Sequence, residues 1–239
     1  MAAQIARLDK DQDTRDVFKN ILFDLDGTLG NTLPLCILAF RTAIEPLAGR
    51  SLSDAEVIAT FGPSEEGTIK AFVPLHFEEG LRRYLDAYAK LHSGWPAPFE
   101  GILEMLSFLK RRGAFIALVT GKGLGSAQVT LERYGLERYF DAVKTGSPSG
   151  PVKDICIEEI IASYSLNRDE TLYVGDSPGD IAASRTCRIQ VAAAAWAPTS
   201  DPDELRSCRP DYLFTSVSDF YAMLCNETGS AEKPKIGTI

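Results

Sequence analysis

Residues 20–29 of the chain read NILFDLDGTL, an apolar run followed at once by two carboxylates, a glycine and a hydroxyl group. Short apolar runs bounded by glycine or charged residues are typical of strands buried on both faces of a parallel sheet. The run predicts a first strand over residues 20–25, with Asp24 and Asp26 at its carboxyl end. Because Asp-Gly is an ordinary turn former, a plain turn is an alternative at this point.

Further apolar runs follow the first one along the chain. Segments with helical periodicity, such as residues 101–112 and 154–164, separate the later runs. Strands that alternate with helices in this way predict an α/β fold with a doubly wound parallel sheet. The additional predicted strands cover residues 114–120, 140–145, 171–175 and 189–194.

The interval 33–96 interrupts this alternation, because it contains several helical patterns and no convincing strand. Ser53 and Glu56 have the spacing of a capping box at the start of one helix, and another helix is predicted over residues 77–91. An insert directly after the first strand is expected to lie over the carboxyl ends of the strands, where open α/β sheets bind ligands. The predicted domains are an α/β core at 19–32 and 97–225, a small α-helical cap at 33–96, and tails at 1–18 and 226–239.

Composition restricts the classes of partner. The 239 residues, 45% of them hydrophobic, suffice for one core and a smaller second one. The net charge of -8 disfavours nucleic acid and anionic membranes as partners. Five widely spaced cysteines without a C-x-x-C pair predict reduced thiols. With no secretory signal and no apolar run of about 20 residues, we expect a cytoplasmic protein.

A second group of acids follows another apolar run, in the segment VGDSPGD at residues 174–180. Helix capping explains the serine, the proline and part of the role of Asp180, but it does not explain Asp176. Because parallel strands end at the same edge of a sheet, we expect Asp24, Asp26 and Asp176 to converge on one hard cation.

Two more polar groups stand at or near strand ends. Thr120 follows the second predicted strand, and Lys153 heads the helix before the Asp176 strand. Thr120 could simply cap a helix, and Lys153 could be a solvated surface charge. Together with three carboxylates, however, a hydroxyl and an ammonium match phosphoryl transfer, which depends on positioning and charge neutralisation.

The order of these motifs resembles that of the haloacid dehalogenase superfamily, in the phosphatase branch related to phosphoglycolate phosphatases. The resemblance covers about residues 19–220. Gly30-Asn31, Gly121 and Asp154 depart from the usual family residues, which leaves the substrate and the shape of the phosphate site open. The motifs that carry the resemblance are DLDGT at 24–28, VTGK at 119–122, Lys153, and GDSPGD at 175–180.

The resemblance implies roles for these residues. Asp24 would attack phosphorus and form an aspartyl phosphate, and Asp26 would act as general acid and then as general base. Thr120, Gly121 and Lys153 would contact the transferring phosphate. The implied Mg²⁺ ligands are Asp24, Asp26 through its backbone carbonyl, Asp176 and Asp180, the last directly or as a support.

The resemblance also implies that the helical insert closes over the site. Gly62 and Pro63, in the segment FGPSEE at residues 61–66, are the cap residues expected to meet substrate, although an ordinary turn is an alternative. Two isolated histidines make no credible metal site. Cap cations that could reach a substrate anion, or could simply be solvated, are Lys70, Arg82 and Arg83.

The sequence therefore predicts a magnesium-dependent phosphatase that hydrolyses a small phosphomonoester, phosphoglycolate-like or a sugar phosphate. A monomer or a homodimer is expected, with a small phosphorylated metabolite as its partner. Two alternatives stay open: a phosphomutase of the β-phosphoglucomutase type, which would use the same aspartates, and a non-catalytic binding protein on the same fold.

Overall fold

The computed structural model describes residues 18–226, so the predicted tails at 1–18 and 226–239 lie outside the described residues except for Phe18 and Asn226. The described part contains a six-stranded sheet in which all neighbouring strands are parallel. The predicted α/β fold with a parallel sheet is confirmed. The strands, in the spatial order β3-β2-β1-β4-β5-β6, are β1 Asn20–Phe23, β2 Phe115–Val119, β3 Ala142–Lys144, β4 Thr171–Gly175, β5 Gln190–Ala194 and β6 Tyr212–Phe214.

The central position of β1 brings the polar strand ends together. Phe23, the last residue of β1, is paired with Leu118 of β2 on one side and with Val174 of β4 on the other. The residues that follow β1, β2 and β4 therefore emerge side by side at one edge of the sheet. This edge carries Asp24 and Asp176 next to each other.

The interval between β1 and β2 opens with four helices, as the sequence predicts. The predicted capping box is formed, because Glu56 N donates to Ser53 Oγ at 3.2 Å and Ser53 N donates to Glu56 at 2.9 Å. The insert has its own apolar cluster, in which Phe40, Tyr84 and Tyr88 are buried. The helices are α1 Leu33–Ala48, α2 Asp54–Ile58, α3 Glu65–Phe72 and α4 Phe77–Leu91.

The remaining helices cover both faces of the sheet. Alternate residues of β1 point to opposite sides, so that Ile21 and Phe23 join one core cluster and Leu22 joins another. Side chains of α5, α6 and α10 pack in the first cluster, and side chains of α7, α8 and α9 pack in the second. These helices are α5 Ile102–Arg111, α6 Leu124–Tyr134, α7 Lys153–Tyr164, α8 Pro178–Thr186, α9 Pro202–Ser207 and α10 Val217–Asn226.

The structure adds one strand that the sequence did not predict. β6 is only three residues long and lies at the edge of the sheet beside β5, so its apolar run is too short to give a clear strand pattern. Separate apolar clusters support the division into core and cap, whose boundaries stay a prediction. None of the helices in the described part of the chain has the length and apolar character needed to cross a bilayer.

Candidate active site

Three carboxylates meet where β1 and β4 end. One oxygen each of Asp24, Asp176 and Asp180 lies within 4.8 Å of the others. Asp24 follows β1, Asp176 follows β4, and Asp180 lies in the first turn of α8. Their convergence follows from the pairing of β1 with β4 and from the immediate start of α8 after β4.

Two glycines make room for these carboxylates. A Cβ atom on Gly27, whose φ is +78°, would lie 1.9 Å from Asp176 Oδ2. A Cβ atom on Gly175 would lie 2.4 Å from Asp180 Cγ. Any other residue at either position would displace an acid of the site, so both glycines allow close approach, and Gly27 in addition adopts the positive φ of its turn.

Lys153 joins two of the three acids. Its Nζ lies 2.7 Å from Asp24 Oδ2 and also donates to Asp180 Oδ1. Burial alone would lower the pKa of Lys153, but the negative charges of Asp180 and Asp24 outweigh burial and raise it. The solvated alternative is wrong, because this ammonium is held inside the group of acids. We call Asp24, Lys153, Asp176 and Asp180 the strand-edge cluster.

Asp180 also caps α8, as the sequence predicts. Ser177 N donates to Asp180 Oδ2 at 3.0 Å, and Asp180 N donates back to Ser177 Oγ at 3.2 Å. Its other oxygen accepts from Tyr173 OH at 3.0 Å and from Lys153. Asp180 is fully buried, so the capping contacts fix its carboxylate rigidly beside the other acids.

The strand-edge cluster carries more negative than positive charge. Burial raises the pKa of Asp24 to about 6 against the opposing effect of Lys153. Burial, Asp24 and Asp180 together raise the pKa of Asp176 well above its usual value. In addition, Asp24 Oδ1 is buried and has no hydrogen-bond partner. Three hard carboxylates within reach of one ion, with negative charge that Lys153 does not balance, fit Mg²⁺ well.

The expected convergence of the Asp26 carboxylate with Asp24 and Asp176 is not observed, because Asp180 takes its place and Asp26 has other partners. Asp26 Oδ1 accepts a hydrogen bond from Thr32 Oγ1, and Oδ2 lies 3.4 Å from Lys122 Nζ. The same Nζ lies 3.5 Å from Glu65 Oε1 of the cap. We call Asp26, Lys122 and Glu65 the cap-side cluster.

Lys122 is the centre of the cap-side cluster. Its side chain is only 1% exposed, and its Nζ lies 4.3 Å from the centre of the Tyr88 ring and 2.9 Å from Cys36 Sγ. Burial raises the pKa of the Cys36 thiol to about 12, so the thiol stays neutral. Burial opposes the charge of Lys122, but Asp26 is the largest of the influences that raise its pKa.

Glu65 connects the cap to the core. Its carboxylate accepts hydrogen bonds from the backbone N of Gly123 and from Ser126 Oγ, both in the core, and from Tyr84 OH of the cap at 3.2 Å. Sequence reasoning included Glu65 only as part of the segment expected to meet substrate, without a role of its own, and gave Lys122 no role. Lys122 stood inside a motif, but an acid at the start of a helix such as Glu65 has the ordinary appearance of a capping residue.

The other predicted substrate contacts line one cavity of about 310 Å³ together with Asp24, Asp26 and Lys153. Thr120 does not cap α6, because Gly123 precedes that helix. The cap segment at residues 61–66 contacts the core through a backbone hydrogen bond, in which Ser64 N donates to Ser147 O at 2.9 Å. The lining residues named in advance as substrate contacts are Gly62, Pro63, Thr120, Gly121 and Lys153.

The cap cations considered from the sequence do not line the cavity. Arg82 pairs with Asp86 and Arg83 pairs with Glu79, both on the surface of α4. His92 is buried, with Nε2 3.2 Å from Thr130 Oγ1. It lies apart from the acidic group and serves the packing between cap and core.

Comparison with known proteins agrees with this geometry. Residues 21–194 match the family model described as haloacid dehalogenase-like hydrolase. The chain belongs to this family. The predicted membership and the predicted enzyme class, a hydrolase related to phosphatases, are confirmed.

Individual relatives span nearly the same length. Pyrophosphatase PpaX of Halalkalibacterium halodurans is 29% identical over 201 residues, which is 83% of this chain and 93% of the relative. A predicted phosphoglycolate phosphatase from Haemophilus somnus superimposes with a TM-score of 0.73 at 22% identity, covering 88% of this chain and 98% of that one. CbbY from Rhodobacter sphaeroides, solved with phosphate, superimposes with a TM-score of 0.72 at 18% identity, covering 87% of this chain and 99% of that one. The two structures share the fold.

Proposed function

We propose that this hydrolase is a magnesium-dependent phosphatase that cleaves a small phosphomonoester through a phosphorylated Asp24. The observation that carries the proposal is the state of Asp24, which lines the cavity: its Oδ2 is held by Lys153, while its Oδ1 is buried without a hydrogen-bond partner. An oxygen in this position is free to attack.

In the first step, Asp24 attacks phosphorus and the bond between phosphorus and the ester oxygen breaks. Asp26 gives its proton to that oxygen, so the leaving group departs as a neutral alcohol. Lys153 and Thr120 line the same cavity and would contact the phosphate oxygens. The products of this step are the alcohol, a phosphorylated Asp24 and an ionised Asp26.

In the second step, water attacks phosphorus of the phosphorylated Asp24. Asp26, now ionised, accepts a proton from this water, and the bond between phosphorus and the Asp24 oxygen breaks. Inorganic phosphate leaves, and both aspartates return to their starting states. Hydrogen bonds from Thr32 and the nearby Lys122 keep the Asp26 carboxylate oriented within the cavity between the steps.

Asp24, Asp176 and Asp180 would hold the magnesium ion, with the Asp26 backbone carbonyl as the fourth protein group implied by the family resemblance. When bound, the ion supplies positive charge that offsets the phosphate and the attacking carboxylate. The relatives support phosphate chemistry: one is named a pyrophosphatase, and CbbY was solved with phosphate. A small phosphorylated metabolite is the proposed partner.

A phosphate-release assay tests this function. The purified protein is incubated with a panel of small phosphomonoesters, with Mg²⁺ or with a chelator. We expect phosphate release that requires Mg²⁺. No release from any ester would refute the phosphatase, and isomerised sugar phosphate without free phosphate would show a phosphomutase instead.

A further inference from the structure

The part of the cavity wall that the cap supplies is mostly apolar. Leu33, Phe40, Phe61 and Pro63 line it, all from the cap. Glu65 is the one charged cap residue among the described residues that line the cavity. A leaving group that extends from the phosphate toward the cap therefore meets hydrocarbon, the uncharged side chains of Thr68 and Tyr84, and one carboxylate.

The cations of the cavity are already paired. Among the described lining residues, Lys122 and Lys153 alone are cationic. Lys153 contacts Asp24 and Asp180, and Lys122 contacts Asp26 and Glu65. Each ammonium thus faces two carboxyl groups, and Glu65 alone still offsets Lys122 when Asp26 is protonated for the first step. Neither ammonium therefore has positive charge to spare for a second anionic group of a substrate.

Lys122 is also fixed in place. It is almost completely buried beneath the Tyr88 ring, and the Glu65 carboxylate that faces it is held by hydrogen bonds from Gly123, Ser126 and Tyr84. Turning Lys122 toward a substrate would leave Glu65 and Asp26 without a counter-charge. Rearrangement of a buried pair of this kind is costly.

The charge of the whole cavity leads to the same conclusion. With one divalent cation bound and Asp26 protonated for the first step, the charges of Asp24, Asp176, Asp180 and Glu65 balance those of the ion and the two lysines. The transferring phosphate alone then makes the site negative. A carboxylate or a second phosphate on the leaving group would add uncompensated charge close to Glu65. The four lining carboxylates are Asp24, Asp26, Glu65 and Asp176, and the two lining ammonium groups are Lys122 and Lys153.

From this arrangement we infer that the substrate is a phosphomonoester of a small uncharged alcohol, and that Glu65 excludes leaving groups with a second negative charge. The inference rests on the proposed phosphatase function. Of the two classes expected from the sequence, it selects esters of the sugar-phosphate type over phosphoglycolate. It also predicts that this chain prefers a different substrate from pyrophosphate, after which one relative is named.

Two substrates of matched size test the inference on the unmodified protein. 2-Hydroxyethyl phosphate and phosphoglycolate differ in that a hydroxymethyl group replaces a carboxylate. We expect kcat/KM to be at least about tenfold higher for 2-hydroxyethyl phosphate, because placing like charges together costs several kcal/mol. Pyrophosphate is expected to be poorer still. Equal rates, or a preference for phosphoglycolate or pyrophosphate, would overturn the inference while leaving the phosphatase intact.

The variant Glu65→Gln assigns the discrimination to one residue. Glutamine removes the charge and leaves Lys122 with only Asp26. Its single amide oxygen can still accept from Ser126 and Tyr84, while its amide nitrogen takes the place of the oxygen that accepts from Gly123 N. The preference for the uncharged substrate should fall at least about threefold in this variant.

Glu79→Gln is the matched control, since Glu79 pairs with Arg83 on the surface of α4. Its substrate preference should equal that of the unmodified protein. If Glu65→Gln also retained the full preference, Glu65 would not be the excluding residue and the inference would be wrong. Failure of the protein to hydrolyse any phosphomonoester would instead refute the proposed function, and the inference with it.

Discussion

The strand-edge cluster and the cap-side cluster both place one buried ammonium among carboxylates, yet they differ in what is left unpaired. Lys153 contacts only two of the three acids of its cluster, and Asp24 Oδ1 has no hydrogen-bond partner. In the cap-side cluster, Lys122 and several hydrogen-bond donors satisfy the two carboxylates. Unbalanced charge suits a group that binds a cation and reacts, whereas a satisfied network suits positioning.

The largest expected effect is that of Asp24→Asn. The amide keeps the size of the side chain but removes the attacking charge, so kcat should fall at least about a thousandfold. Phosphate release measures the loss, and circular dichroism checks that the fold is retained. Asp203→Asn, a change in an exposed acid paired with Arg206, is the control and should retain full activity. Near-normal turnover by Asp24→Asn would remove Asp24 from its role.

The two lysines provide the most direct contrast between the clusters. Lys153→Met removes the ammonium beside Asp24 and should lower kcat about a hundredfold or more, because in the proposed mechanism this ammonium contacts the transferring phosphate. Lys122→Met should lower kcat only about tenfold, because Lys122 acts on Asp26 through orientation. Steady-state kinetics of both variants measure the difference. If Lys122→Met were the more damaging change, the assignment of reacting and positioning clusters would be reversed.

Binding of magnesium should distinguish the clusters without any substrate. At a concentration about 100 times Kd, the ion should stabilise the protein by about 2.7 kcal/mol. Thermal unfolding with Mg²⁺ and with a chelator measures this shift. Asp176→Asn should abolish most of the stabilisation, while Glu65→Gln should preserve it. If Glu65→Gln lost the shift while Asp176→Asn kept it, the ion would bind in the cap-side cluster, and its assignment to the strand-edge cluster would be wrong.

The sequence predicted the strand-edge cluster better than the cap-side cluster, and the reason is physical. Asp24 and Asp176 directly follow apolar strands, and parallel pairing alone brings them to one edge. Lys122 and Glu65 meet only because the cap packs on the core, a long-range contact without local periodicity. The short edge strand β6 was not predicted for a related reason, because three residues are too few to show the hydrophobic pattern of a strand.

The smallest expected effects come from two tyrosines, one in contact with each cluster. Tyr173 OH lies 3.0 Å from Asp180 Oδ1 and 2.8 Å from Val119 O, and Tyr84 OH donates to Glu65 at 3.2 Å. Tyr173→Phe and Tyr84→Phe each remove one buried hydroxyl, so each should lower the free energy of unfolding by about 1 kcal/mol. Denaturant unfolding measures both losses.

The two variants should nevertheless differ in their response to magnesium. Because Tyr173 orients an acid of the strand-edge cluster, Tyr173→Phe should weaken magnesium binding several-fold, by analogy with other groups that hold metal ligands in place. Tyr84→Phe contacts the cap-side cluster and should leave magnesium affinity unchanged. Titration calorimetry on both proteins tests this difference. Equal affinities would mean that Lys153 and the helix cap already fix Asp180, so that the tyrosine contributes to stability alone.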